Sequence, residues 1–364
     1  MRRAVIVQAK RTAIGKKGGI LKDFPPEKLI APVIQELVQN LPCPVDDILL
    51  GNAIGPGGNL ARLSSLASGQ DISTPGVTID RQCGSGLEAI RLACHLIQGG
   101  AGDIFIAGGV ESCSQSPFEG RARFSPENIG DPDMGIAADQ TAQKYGITRK
   151  MQDEYALLSY QRALDALEKG YVHEEIISSQ GLPPIDESPN PRINYHRLLK
   201  RLSPCFNKNG TITMGNCCGI NDGAAAVLVM SEAKAIELGY RPVLRFVDSA
   251  VTGVDPNHPI TGAVSAISSL LKKCDLTVQD IDLIELNEAF AAKAVLISRE
   301  LSIPYEKINP KGGAIASGHP YGASGAILVT RLFYEVQRSL TKYCLSVIGI
   351  GGGMGVSMLW EYPQ

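Results

Sequence analysis

The stretch Ile79-Asp80-Arg81-Gln82-Cys83-Gly84-Ser85-Gly86-Leu87 decides how this chain is read. An apolar, β-branched run from Gly76 to Ile79 stops at a polar turn, and apolar residues then recur at Leu87, Ile90, Ala93, Cys94 and Ile97. That spacing predicts a strand, a tight glycine turn and a helix, with Cys83 on the first helical turn. Unpaired backbone N–H groups and the positive end of the helix dipole collect there, and both favour a thiolate, the nucleophilic form of cysteine. Gly84 and Gly86 carry no side chain, so a bulky acyl donor has room to approach the sulfur. A packed, inert cysteine would leave the same residues, and this stretch alone leaves both readings open.

Bulk composition narrows the field. A chain of 364 residues, 44% hydrophobic and 20% charged, is ordinary for a globular protein and long enough for two sizeable cores. A formal net charge of −2 gives no global attraction for nucleic acid, so a polyanionic ligand must be met by a local basic cluster. No apolar run is long enough to span a bilayer, and Ala4-Val5-Ile6-Val7 enters strand-like sequence without a signal-peptide pattern, so no membrane and a cytoplasmic location are expected. Nine cysteines form no C-x-x-C pair, which argues against a disulfide framework or a metal site.

Outward from Cys83, strands alternate with helices. Val5–Val7 and Ile48–Leu50 read as strands, Pro26 to Val38 as a helix opened by proline, Leu60 to Ser68 as a helix, and Ile104–Ala107 as a buried strand ending in Gly108-Gly109. This is an α/β pattern with a mainly parallel sheet. From about Glu111 to Ile220 the rhythm breaks into two helices, Ile136–Tyr145 and Arg149–Lys169, and a Pro- and Asn-rich stretch from Leu182 to Asn194. We read this segment as an inserted loop or lid domain. Ala224–Met230 resumes as a strand.

The second half then repeats the first. Asp282 to Ala289 echoes Asp47 to Ala53, the helix opening at Gly318-His319-Pro320 echoes the one at Cys83, and Leu345–Ile350 with its glycines echoes Ile104–Gly109. The first two offsets are both roughly 235 residues, a duplicated domain and not a solenoid. The expected organisation is an N-terminal half at 1–110 with strands returning at about 221–240, an insertion at 111–220, and a C-terminal half at 241–364. Equivalent helices facing each other would bring Cys83 near His319.

Four ordered blocks resemble the signatures of the thiolases. They are Arg81-Gln82-Cys83-Gly84-Ser85-Gly86, Asn287-Glu288-Ala289-Phe290-Ala291, Gly312 to Pro320, and Gly351-Gly352-Gly353-Met354-Gly355. With Gly215-Asn216 and Gly219 to Gly223, the resemblance covers essentially the whole chain. It implies the duplicated, layered α/β/α/β/α fold and transfer of an acyl group through a cysteine, with coenzyme A as substrate and no further cofactor. A place in fatty acid metabolism and a homodimer or homotetramer are implied as well. By resemblance Cys83 is the nucleophile and His319 its base. Asn287 holds the water that, with His319, binds an enolate oxygen, and the backbone N–H groups of Cys83 and Gly351 bind the other oxyanion. Met134, Ala289, Phe290, Cys217 and Cys218 fall beside the thioester arm.

One departure stands out: the family's second cysteine, the acid/base for the α-carbon, is replaced by Gly349. A positioned acid/base contributes about 10²–10⁴-fold in rate. Cys344 is too far along its strand at ~3.3 Å per residue to substitute, and Ala289 has no titratable atom. An acyl-CoA hydrolase, or transfer to a non-carbon acceptor, is therefore the alternative expectation, and a non-catalytic acyl-CoA binder a third. Asp133-Met134-Gly135 also stands where many members have His-Met-Gly, and the insertion is shorter than usual. The basic group Arg192, His196, Arg197, Lys200 and Arg201 is the local candidate for the phosphates of coenzyme A, although a solvated helix face would look the same.

Overall fold

The computed structural model describes residues 2–117, 120–339 and 341–363. Its first half runs β1 (Ala4–Arg11), β2 (Gly15–Lys16), α1 (Pro26–Val38), β3 (Asp47–Gly51), α2 (Leu60–Ala67), β4 (Val77–Ile79), α3 (Ser85–Gly99) and β5 (Ile104–Ser112). After α4 (Met134–Lys144), α5 (Arg149–Glu168) and α6 (Tyr195–Leu199), the chain returns through β6 (Asn221–Ser231) and α7 (Glu232–Glu237). The second half holds β7 (Leu244–Gly253), α8 (Gly262–Lys273), β8 (Leu283–Leu286), α9 (Ala291–Leu301), α10 (Ala314–Ser317), α11 (Tyr321–Ser339), β9 (Tyr343–Ile350) and β10 (Met354–Glu361).

Hydrogen bonds join the strands in the order β4-β3-β5-β6-β1-β7-β10-β9-β8, with β2 on β6. The seam between halves is short, with Val5 opposite Arg245 and Ile6 opposite Leu244. The repeat expected from the sequence is visible in register. In the first half Ile48 pairs in parallel with Ile106, and in the second Leu283 pairs in parallel with Cys344. Even short β4 has a counterpart, a single parallel bridge between Ile284 and Ile308.

Helices α3 and α11 lie side by side between the two halves of the sheet, while α1 and α2 cover one outer face and α8 covers the other. The layering is as expected, but the mainly parallel sheet is corrected. Among the described strands only β3–β4, β3–β5 and β8–β9 run parallel, while β1, β6, β7 and β10 pair antiparallel with their neighbours because successive strands at the centre of the sheet come from opposite directions of the chain. All residues of β5 and β6 are buried, which is why these strands read as nearly continuous apolar runs. The glycine surplus has a packing reason at the centre. A Cβ on Gly86 would lie 2.6 Å from the carbonyl oxygen of Gly322, and one on Gly325 would lie 2.3 Å from the backbone nitrogen of Leu87. Only glycine lets these two backbones approach so closely.

The inserted segment is tied down more firmly than a lid would be. Buried Arg11 donates to Glu175 Oε2 at 2.8 Å and to Asp186 Oδ1 at 2.7 Å, and the Ile14 N–H donates to Asp186 Oδ1 at 2.8 Å. Helix α5 packs on α9 and α10. The stretch around Leu182 to Asn194 instead serves the first half with its side chains: Glu187 Oε2 accepts from the Lys16 N–H at 2.8 Å and from the Ile20 N–H at 3.1 Å. No helix among the described residues is long and apolar enough to cross a membrane.

Candidate active site

Cys83 precedes its helix. Helix α3 begins at Ser85 with Gly84 as its N-cap, so the expectation of Cys83 on the first helical turn is corrected. Gln82 takes the left-handed region at φ 50°, uncommon for a residue with a side chain. Ser85 holds that turn: its Oγ donates to Gln82 O at 2.6 Å and accepts from the Arg81 N–H at 2.9 Å. The turn leaves Cys83 partly buried, packed at the edge of the core cluster that holds Leu87, Ala323 and Ile350.

His319 sits at the equivalent turn before α11. Its N–H donates to Asn221 Oδ1 at 2.9 Å, and Gly318 at φ 110° brings its backbone against the same Asn221 side chain. The ring is buried. Nδ1 lies 2.5 Å from Ser324 Oγ and 3.0 Å from Asn287 Nδ2, whereas Nε2 and Asn287 Oδ1 have no partner among the described residues. Ser324 also donates to Pro320 O at 3.0 Å, so its oxygen is free to accept from Nδ1–H. That tautomer leaves an open lone pair on Nε2. Turning the Asn287 carboxamide so that its oxygen meets Nδ1–H then satisfies the orphaned oxygen as well.

Electrostatics correct a second expectation. Burial pushes the Cys83 thiol up to about 11, against the pull of Lys293 and of the N–H groups of Cys83 and Gly351, both within reach of Sγ. Desolvation therefore outweighs the dipole effect, and the resting group is a thiol. Burial, reinforced by Lys293, lowers His319 to about 3, so the imidazole is neutral across the physiological range. Two neutral partners suit a proton transfer that occurs only as the sulfur attacks.

The remaining expected residues form two groups. Cys217 pairs with Phe290 in an isolated bridge, the Cys218 N–H donates to Ala289 O at 2.9 Å, and Met134 and Ala289 pack on the cluster that includes Cys217 and Phe290. Burial raises both Cys217 and Cys218, the latter to about 12 with the charge of Cys83 adding to it. Gly351 lies under Phe124, where a Cβ would be 2.7 Å from the ring. Arg192, in contrast, is exposed beside α6, and the whole basic group of residues 192–201 makes no ion pair among the described residues. Nothing in its contacts links it to Cys83.

Sequence reasoning missed Lys293, in the first turn of α9. It is 1% exposed, and its charge is felt at Cys83, Cys218 and His319. Burial lowers its ammonium to about 8. The signal was a lone charge inside Ala289-Phe290-Ala291-Ala292-Lys293-Ala294-Val295-Leu296.

Comparison with known proteins agrees with this geometry. Residues 4–233 match the model "Thiolase, N-terminal domain" and residues 240–362 match "Thiolase, C-terminal domain". A Bacillus subtilis protein named "Putative acetyl-CoA C-acetyltransferase YhfS" is 56% identical over 360 residues, covering 98% of this chain and 99% of that one. A Staphylococcus aureus (strain MRSA252) protein named "Putative acetyl-CoA C-acetyltransferase VraB" is 45% identical over 382 residues, covering 99% of each. The crystal structure of the Bacillus anthracis acetyl-CoA acetyltransferase superposes with a TM-score of 0.93 at 37% identity, covering 100% of this chain and 99% of that one. With both halves matched in order over nearly the whole chain, the chain belongs to the thiolase family.

Proposed function

We propose that this chain is an acetyl-CoA C-acyltransferase that works through an acyl-Cys83 thioester. The observation that carries the reading is the pairing of Cys83 and His319 at equivalent turns, with the N–H groups of Cys83 and Gly351 at the sulfur and an unpartnered nitrogen on the imidazole. A thioester carbonyl placed beside Sγ is attacked as Nε2 takes the thiol proton, and the two N–H groups hold the oxyanion that develops. As it collapses the carbon–sulfur bond to coenzyme A breaks, and the leaving thiolate takes the proton from Nε2. Asn287, held against His319, is placed to bind the enolate oxygen of the second substrate, through a water or directly. The residues Met134, Ala289, Phe290, Cys217 and Cys218 line the approach in this reading, and the exposed basic group around Arg192 meets the phosphates of coenzyme A.

Incubation with acetyl-CoA followed by intact-mass measurement tests it. An acetyl adduct that disappears in Cys83→Ala is expected; no adduct, or one that survives the substitution, refutes the reading. Hydrolysis of acetyl-CoA outrunning thiolysis of acetoacetyl-CoA would favour the hydrolase alternative. We also read the sheet edge at β4 as a contact between copies of this chain. Val77 on that strand is 42% exposed, and Leu63, Leu66 and Ile72 beside it are 47%, 47% and 80% exposed. Light scattering that returns a monomer mass would remove that part.

A further inference from the structure

We propose that Lys293 is the acid/base that moves the α-carbon proton during C–C bond formation and cleavage, in the place left open by Gly349. This rests on the acyl-Cys83 reading above. A Cβ placed on Gly349 would lie 3.3 Å from Lys293 Cδ and 3.6 Å from Nζ, with Ala263 Cβ 3.7 Å away on another side. The lysine therefore lies in contact with the space that a side chain at 349 would take. The amine reaches it from a different element, α9, and not from β9 itself.

A purely structural role accounts poorly for this lysine. Lysine is almost never fully buried unless paired, yet Nζ makes no hydrogen bond or ion pair among the described residues. The carboxylate whose charge reaches it, Glu288, is already engaged by Tyr155 at 2.7 Å, Ser159 at 2.6 Å and Asn309 at 2.7 Å. Lys293 also lies in the first turn of α9, where the helix dipole opposes a positive charge. The other titratable groups that face it are Cys83, Cys218 and His319. Burial leaves the amine partly unprotonated near neutral pH, as an efficient general base requires.

The steps balance without a further reactant. In condensation, neutral Nζ takes a proton from the α-carbon of a second acetyl thioester, and the C–H electron pair passes into the enolate. The α-carbon attacks the carbonyl carbon of acetyl-Cys83, and as the tetrahedral adduct collapses the C–S bond to Cys83 breaks. The departing thiolate recovers the proton from the Lys293 ammonium. Cleavage runs in reverse, with the ammonium protonating the α-carbon as it leaves. A thiol introduced by Gly349→Cys would crowd the amine, so this change helps most when Lys293 is shortened.

Three proteins test this: wild type, Lys293→Met, and the double variant Lys293→Ala/Gly349→Cys. Each is assayed for the acetyl adduct on Cys83, for deuterium entry into the methyl group of acetyl-CoA in heavy water, for acetoacetyl-CoA cleavage, and for urea stability. We expect Lys293→Met to acetylate within about tenfold of wild type while deuterium entry and cleavage fall by about 10²–10⁴-fold. Its urea midpoint should hold or rise, because a buried unpaired cation has been replaced by an apolar chain. The double variant should regain at least about tenfold in deuterium entry over Lys293→Met, with its optimum moved away from that of the wild type. Unchanged exchange in Lys293→Met, equal loss of acetylation and exchange, or a lowered midpoint with no recovery in the double variant would each overturn the proposal. Absence of an acetyl adduct on wild-type Cys83 would instead overturn the reading beneath it.

Discussion

The two halves of this molecule carry the same polar corner and complete it in opposite ways. Strands β3 and β8 are each followed by an asparagine, Asn52 and Asn287. Counting along the neighbouring strands from the paired Ile106 and Cys344 brings Glu111 and Gly349 to equivalent places, opposite Gly223 and Gly355. In the first half Glu111 saturates the corner. It accepts from Asn52 Nδ2 at 2.7 Å, from the Ala53 N–H at 3.0 Å, and from the Gly322 N–H at the start of α11 at 2.8 Å. In the second half position 349 has no side chain, and His319 Nε2 lacks a partner among the described residues. Buried polar groups are normally paired, and the exceptions call for an explanation. Duplication lets one copy of the corner hold the fold while the other stays open for chemistry.

That contrast can be broken by experiment. The largest effect is expected from a matched pair of changes, one in each corner. Asn287→Ala should slow acetoacetyl-CoA cleavage by about 10²–10³-fold, the loss typical of one removed oxyanion donor, with little change in the urea midpoint. Glu111→Gln should do the reverse, since its amide N–H₂ would face backbone donors. A loss of about 1–3 kcal/mol in stability is expected, with turnover per folded molecule preserved. If Glu111→Gln slowed chemistry without loss of stability, the division between a structural and a reactive corner would fail.

A smaller effect concerns the two equivalent turns. The folded protein lowers His319 from 6.5 to about 3. Between those values the unfolded chain binds the proton and the folded one does not. The contribution is therefore fully present above pH 6.5 and is lost as pH falls toward 3. Urea melts at pH 7 and pH 5 should show wild type losing about 2 kcal/mol more than His319→Asn, from 1.36 kcal/mol per pH unit of differential binding. Equal losses would mean that the ring takes up its proton inside the folded protein, and that the turn is not the sealed counterpart of the partly open one at Cys83.

Much of this is legible in the order of the residues alone. The strand and helix alternation, the repeat and the four ordered blocks lie in local patterns of apolar residues and glycine, and the helices at Pro26 and Arg149 begin where those patterns begin. The placing of Cys83 and His319 at equivalent turns before α3 and α11 follows from the repeat. Cys83 as a resting thiol does not, because the sign of its shift depends on how much protein surrounds the sulfur, which no spacing reports.

Sequence by itself determined the duplicated α/β fold, the two paired turns and the vacancy at Gly349, since each is written in residue identity and order. Only the tertiary structure decided what lies against that vacancy. Gly349 and Lys293 lie on β9 and α9, separated by α10 and α11, and nothing in either segment specifies that Nζ ends beside the missing side chain. That proximity arises from packing α9 against the second half of the core, a property of the whole fold and not of any stretch of the chain.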